Sequence, residues 1–410
     1  MKSFVGVMLR DWRWMLLAIF VTAFLLRVAF ILTLQDGFYF PDSIEYSNAA
    51  VNVLQNGELG ENYNRPPGYP IFLAAIYSLF GENIVGIRLV ESFISALLAV
   101  IIALIGKRIG GDVVGALAGL LWSIYPLGIF IAGLVYPTNL LAMLLACGVL
   151  SLLPSSQKEL STQRVFFAGL FWGVATLTIP IVLATLLATA VWLVLVGRTK
   201  QLVLALVLLV GAALTVVPWT IRDFYVYGKI VPVEPRVNEH LPRIRSGADD
   251  VRDGVILKHP SRFVSHFVGE FLHFWKVYPD RITMDKPGFR EQQHEKDGRV
   301  VKNTVFTGNL IKAVSILTTG PIFVFAIVGT VAIWFQRQRR GDLLLLWAVI
   351  LSFAVGYSAF YTKTRHRIPI EPYLVILSAY GLKRCWDLLG VRVLFGTTFR
   401  AGRKQSLEIS

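Results

Sequence analysis

Ten apolar stretches recur along the chain, at about 14–34, 84–106, 113–130, 134–153, 164–179, 180–197, 201–219, 311–335, 342–360 and 368–389. Each is near the length that an α-helix needs to cross a hydrocarbon core. The pair 164–197 has a single break, Thr178-Ile179-Pro180, and reads as one long kinked helix or two short ones. Two long segments interrupt the series, 35–83 and 220–310. In the first, a helix is predicted to start after Pro41. It places Tyr46, Ala50, Val53 and Leu54 on one face and stops at Gly57. Such a stretch lies in the membrane interface and does not span it. Pro66-Pro67-Gly68 then forces a turn. Tyr69 to Phe80 is apolar but too short to cross, which predicts a second interfacial or re-entrant helix. In the second segment a helix after Pro260 carries Phe263, Phe267, Phe271 and Phe274, with Trp275 and Tyr278 beside them, as an aromatic interfacial face. The pattern therefore predicts an all-α integral membrane protein of about ten spans, a single polytopic domain over 1–410.

Composition agrees. The chain is 55% hydrophobic and 16% charged, where a soluble domain is about 25% charged. The first stretch is too long for a signal-peptide core and has no small-residue cleavage site after it, so it reads as a retained helix. A net charge of +14 would suggest nucleic acid on a soluble protein. Here it marks cytoplasmic loops, because Lys and Arg accumulate on that side. Lys107 and Arg108, Lys158 and Arg164, Arg198 and Lys200, Arg337 to Arg340 and the tail from Lys383 all fall on one side. Both termini are then cytoplasmic, both long segments lie outside the cell membrane, and nucleic acid is excluded as a partner. Cys147 and Cys385 are placed for neither a disulfide nor a metal site.

Candidate chemistry gathers outside. Segment 35–83 carries Asp36, Asp42, Glu45, Glu58, Glu61 and Glu82 against one cation, Arg65. Asp42 and Glu45 resemble a capping box, with Asp42 as N-cap and Glu45 three positions on. A capping Asp keeps one oxygen free, so it can also accept a proton from an acceptor or bind a cation. Asp36-Gly37 reads as a turn. The outer loop before the tenth stretch holds Lys363, Arg365, His366 and Arg367 within five residues, against the charge rule that the other short outer loops obey. It reads as a tolerated exception, as cations meeting the acidic first loop, or as an anion site, since Arg forks grip phosphate oxygens in pairs. Glu371 follows by a turn and orients it. Arg88 and Glu91, three apart, read as a neutralising pair. Arg27, inside the first stretch, snorkels outward or marks function. His266, Glu270 and His273 share a helical face, which reads as a solvated polar face in preference to zinc. No Gly-rich phosphate loop occurs.

Four segments in order carry a resemblance. PDSIEYSNAA, then Asn64-Arg65-Pro66-Pro67-Gly68-Tyr69-Pro70, then PWTIRDFYVYGKIVPV, then RHRIPIEPYL are similar to the polytopic glycosyltransferases of the GT-C fold. The nearest group is that of the protein O-mannosyltransferases and lipid A aminoarabinose transferases. The resemblance implies a sugar moved, with inversion, from a polyprenyl-phosphate carrier to a lipid, glycan or protein acceptor on the extracytoplasmic side. It implies Asp42 as the acidic catalytic residue and Arg65 with Lys363, Arg365 and Arg367 as donor-phosphate ligands, the late arginine being Arg365 or Arg367. Glu45, Tyr46, Arg88, Arg222 and His366 are supporting candidates. Ser43 stands where the group commonly has Glu, and Asp223 where it has Asn, which leaves a divalent metal open. The rival class is a transporter or flippase for a lipid-linked glycan, which internal repeats and midplane charges would signal; the sequence shows no repeat. A non-catalytic scaffold has no positive feature.

Overall fold

The computed structural model of the protein describes residues 11–34, 37–60, 63–153, 160–196, 201–228, 233, 260–278 and 308–389. The charged termini and most of segment 220–310 lie outside these residues, so the expectations that rest on them do too.

The elements are helices throughout. Helix α1 (Trp12–Ile31) is followed by two helices in the first long segment, α2 (Pro41–Asn56) and α3 (Gly68–Phe80). Pro41 opens α2, since its fixed φ suits the first helical position and its missing N–H is not needed there. Gly57 closes it in the left-handed region, at φ 74°. Next come α4 (Ile84–Gly110), α5 (Asp112–Ile124) and α6 (Pro126–Ala132). The last two meet at a 55° bend, where Pro126 pushes Tyr125 into extended backbone. They are followed by α7 (Thr138–Leu152), α8 (Thr162–Thr178), α9 (Val182–Val196) and α10 (Gln201–Tyr227). The stretch 164–197 is thus two helices, parted at Ile179–Ile181. Helix α10 carries Pro218 inside it and runs past the expected boundary at 219. Its added turns expose Ile221, Phe224 and Tyr225, apolar surface suited to an interface. The chain continues with α11 (Pro260–Phe274), α12 (Gly308–Trp334), α13 (Arg340–Ser358) and α14 (Glu371–Leu388).

A helix lies at each of the ten expected positions. By length and composition, however, five among the described residues suffice to cross a membrane: α1, α4, α10, α12 and α13. The bent pair α5–α6 makes a sixth. Helices α7 and α9 are apolar but only 15 residues each.

Helix α14 is buried at every residue from Glu371 to Gly381. A helix buried all round sits at the centre of its bundle, and α14 packs on α12, α5 and α4. Its closest approach is to α12, where two glycines let the backbones meet. A Cβ on Gly329 would overlap the carbonyl of Leu377, and one on Gly381 that of Phe325. Gly381→Ala is expected to cost about 1–3 kcal/mol by overpacking. Thermal unfolding in detergent would show it; an unchanged midpoint would contradict the packing.

Arg27 neither snorkels nor faces a cavity. It is fully buried and donates to Ser95 Oγ at 2.7 Å and to the carbonyls of Ala23 and Ser123 at 3.0 and 3.1 Å. It thereby places a cation at the carbonyl end of α5, where the helix dipole is negative, and ties α1 and α4 to the bend.

Candidate active site

Two small apolar clusters place the site. Phe38, Tyr46, Ala50, Tyr69, Leu73 and Tyr77 pack α2 and α3 on the start of α4, and Ser47 Oγ meets Tyr77 OH at 2.7 Å between the two helices. Ile131, Leu134 and Ile368, with Phe40 and Tyr136 against them, join the first segment, the α6–α7 turn and the loop before α14. The second cluster brings Arg365 to Asp42 across 323 residues of chain.

Asp42 is the hub. Its Oδ1 accepts from Arg65 Nη2 at 3.1 Å. Its Oδ2 accepts from Arg365 Nη2 at 3.2 Å and from Tyr136 OH at 3.1 Å. Arg65 also donates from Nε to Glu45 at 2.6 Å. The three charged side chains of the hub remain about a quarter exposed, at 24%, 23% and 26% for Asp42, Arg65 and Arg365. Burial by itself would raise the Asp42 carboxyl. The charges of Arg65 and Arg365 and the Tyr136 hydrogen bond outweigh it and hold the group below its ordinary value. The capping-box expectation fails. Pro41 starts α2 one residue early, Phe40 is the N-cap, and no side chain caps the helix, so Asp42 and Glu45 turn to Arg65.

Aromatic rings wall the hub. The Arg365 guanidinium sits 4.9 Å from the Tyr136 ring and 5.9 Å from that of Phe40. Arg65 lies 5.5 Å from the Tyr46 ring, which packs edge-on against Tyr69 and Tyr136. Burial pushes the Tyr46 phenol up to about 12, so it stays protonated. Beneath, Glu91 on α4 accepts from Tyr69 OH at 2.8 Å and from Asn139 at 3.0 Å. Arg88 turns elsewhere, donating to the Gly37 carbonyl at 2.9 Å and lying over the Tyr39 ring. The two are therefore separate clamps: one braces Tyr69, the other holds the entry to α2.

The other expected residues are distributed differently. Arg367 does not join the Asp42 hub. It is fully buried, ion-paired to Glu371 at 2.9 Å, and donates to the carbonyls of Phe274 and Lys276 at 2.9 and 2.6 Å. It fastens the end of α11 to the start of α14. His366 accepts the Lys363 N–H at Nδ1 and stacks on Tyr357. Burial, then the charges of Arg365 and Lys363, lower it well below the ordinary histidine value, so it is a neutral, structural ring. Lys363 lies 5.7 Å from the Tyr361 ring. Arg222 pairs with Asp223 at 2.9 Å and covers Trp219; none of these partners belongs to the hub. The polar face of α11 is not solvated. Glu270 and His273 are buried, and Glu270 accepts from both the N–H and the hydroxyl of Thr362 at 2.7 and 2.6 Å, while His266 meets the Phe360 carbonyl.

Sequence reasoning missed Tyr136 and Phe40. The signal was available: Tyr136-Pro137 interrupts an otherwise apolar run, and Phe40 immediately precedes the helix-starting proline.

Among the described residues no three His, Cys, Asp or Glu side chains converge on one point. Asp42 and Glu45 are both turned to Arg65. A Ca²⁺ caged by protein oxygens needs about six to eight of them, which the described residues do not bring together; a Mg²⁺ held by one or two carboxylates with phosphate and water would require Asp42 and Glu45 to release Arg65.

Residues 64–221 match the family model described as dolichyl-phosphate-mannose-protein mannosyltransferase. The chain is similar to the crystal structure of ArnT from Cupriavidus metallidurans bound to undecaprenyl phosphate. The TM-score is 0.59 at 16% identity, covering 91% of this chain and 60% of that one. It is also similar to the oligosaccharyltransferase AglB from Archaeoglobus fulgidus in complex with an inhibitory peptide and a dolichol-phosphate. That TM-score is 0.58 at 13% identity, over 91% of this chain and 50% of that one. No curated protein matches significantly. The chain thus spans about half to three fifths of the length of these two neighbours, and the fold it shares with them is GT-C.

Proposed function

We propose that this GT-C chain is a membrane glycosyltransferase that moves a sugar from a polyprenyl-phosphate carrier to an acceptor on the extracytoplasmic face, with inversion. The observation that carries the reading is a part-exposed carboxylate, Asp42, held between two arginines from opposite ends of the chain. A glycosyl phosphate needs those two functions side by side. Cations receive the phosphate that departs, and a carboxylate receives the proton that the acceptor loses.

In the step we envisage, the acceptor oxygen attacks the anomeric carbon from the face opposite the phosphate. The carbon–oxygen bond to phosphate breaks, the acceptor proton passes to Asp42, and the anionic lipid phosphate stays with Arg65 and Arg365. With both arginines on it, Asp42 is too acidic to be a strong base, because the best base titrates near the working pH. A donor phosphate competes for the same N–H groups. Its arrival would loosen their hold and raise the basicity of Asp42 only when a donor is bound. Lys363, from the same loop as Arg365, adds a point charge. Ten spans with both termini cytoplasmic remain our topology, supported by the one-sided Lys and Arg pattern.

Cells lacking the protein are expected to accumulate one polyprenyl-phosphate sugar, read by mass spectrometry of lipid extracts. No such accumulation, together with no transfer by purified protein in proteoliposomes, would remove the reading.

A further inference from the structure

A second charged concavity lies far from Asp42. Helix α4 has 27 residues; at ~1.5 Å per residue its ends are about 40 Å apart. Arg88 and Glu91 stand near its start, by the Asp42 site. Gly110 stands at its other end, where it lines a cleft of about 250 Å³ with Gln336, Arg339, Lys383, Arg384 and Asp387. The cleft therefore opens on the membrane face opposite the candidate active site.

Its charge is unbalanced, with three cations against one carboxylate. Lys383 spends itself on Asp387 at 2.6 Å. Arg339 gives Nη1 to the Arg108 carbonyl at 2.6 Å, and its charge is also felt by Asp342, three residues on. Arg384 is exposed and makes no hydrogen bond or ion pair with any described residue. Gln336 Nε2 donates to Tyr380 OH at 2.5 Å, joining the end of α12 to α14 across the cleft. Residues next in the chain to this lining are large, apolar and exposed: Trp334, Phe335, Leu388 and Leu389, at 47%, 77%, 72% and 75%. A free inorganic anion has no use for exposed apolar surface at the same helix ends. An anion attached to acyl chains does.

We propose that this cleft binds the phosphodiester headgroup of an anionic membrane lipid in the leaflet opposite the Asp42 site. Arg384, with Arg339 beside it, meets the phosphate, and the exposed apolar residues at the ends of α12 and α14 receive the first methylenes of the acyl chains. Positive charge on this face has a plainer role as a topology marker, but a marker needs no concavity.

The test uses the full-length protein in detergent, with lipid binding followed by native mass spectrometry and by the thermal midpoint. Phosphatidylglycerol is expected to bind and raise the midpoint; phosphatidylcholine and millimolar inorganic phosphate are not. Arg384→Ala is expected to weaken phosphatidylglycerol about fivefold, the worth of one cation at a lipid surface, and Arg384→Lys to restore most of it. Arg337→Ala removes the same charge from an exposed residue that does not line the cleft, and is expected to change nothing. Equal weakening by Arg337→Ala and Arg384→Ala would mean a diffuse surface field and overturn the site. Equal stabilisation by phosphatidylcholine would overturn the role of charge, and equal stabilisation by inorganic phosphate would overturn the lipid assignment. None of these outcomes depends on sugar transfer.

Discussion

Asp42→Asn is expected to lower sugar transfer by about 10²–10⁴-fold while the protein still folds and inserts. The amide keeps the shape of the carboxylate but removes the charge that two arginines share and the basicity that takes the proton. Stability changes little, because all three charged groups are part-exposed and such ion pairs are worth about 0–1 kcal/mol each. The pH dependence follows from the sign of the Asp42 shift. Its folded value is depressed below the ordinary 3.8, so its ion pairs contribute above the unfolded value and are lost as pH falls through the folded one. In the resting protein the carboxylate is then charged at every pH near neutrality. The measurement is transfer from a synthetic polyprenyl-phosphate sugar in proteoliposomes, with circular dichroism as the folding control. Ordinary turnover by Asp42→Asn would end the assignment of a proton acceptor.

Arg365 and Arg367, two residues apart, are expected to fail in opposite ways. Arg365→Ala removes a part-exposed cation from the place where we propose that phosphate leaves. Losing one such donor costs about 10²–10³ in rate, with normal folding, and Lys restores only part because it has no fork. Arg367→Ala strands Glu371 in the core without its cation. Breaking a buried pair costs about 3–5 kcal/mol, so the yield of folded protein falls before any kinetic effect can be read. Replacing both partners, as Arg367→Met with Glu371→Leu, is expected to recover much of that stability, though not the bonds to the Phe274 and Lys276 carbonyls. Expression and thermal midpoint separate the two arginines from each other. Equal behaviour would show that exposure does not divide their roles.

The helices were legible because apolar length is a strong local signal; each of the ten expected positions holds one. Their ability to cross a membrane was less so, since α7 and α9 are short and α5–α6 is bent at a proline that the pattern had absorbed into one stretch. Arg65 was legible as the lone cation among the carboxylates of one segment, and Asp42 by its place at the start of a helix. The cap at Asp42 was misread because a proline at position 41 competes with the capping motif for the start of the helix. The choice between Arg365 and Arg367 could not be made from composition. Which of them meets Asp42 depends on which side of a 3-10 turn faces α11, where Arg367 donates to the carbonyls of Phe274 and Lys276, about 90 residues earlier in the chain. The burial of Glu270 was hidden for the same reason: its partner Thr362 comes from another loop.

The central position of α14 has a consequence for biosynthesis. The helix at the middle of the bundle emerges from the ribosome after α1 to α13. It carries Glu371, Lys383, Arg384 and Asp387 and is not among the helices apolar enough to enter a bilayer alone. Its entry is therefore expected to depend on the earlier helices as partners. Its glycine seam with α12 is then an admission step as much as a packing contact, and chains damaged there would be lost to quality control before they ever met a substrate.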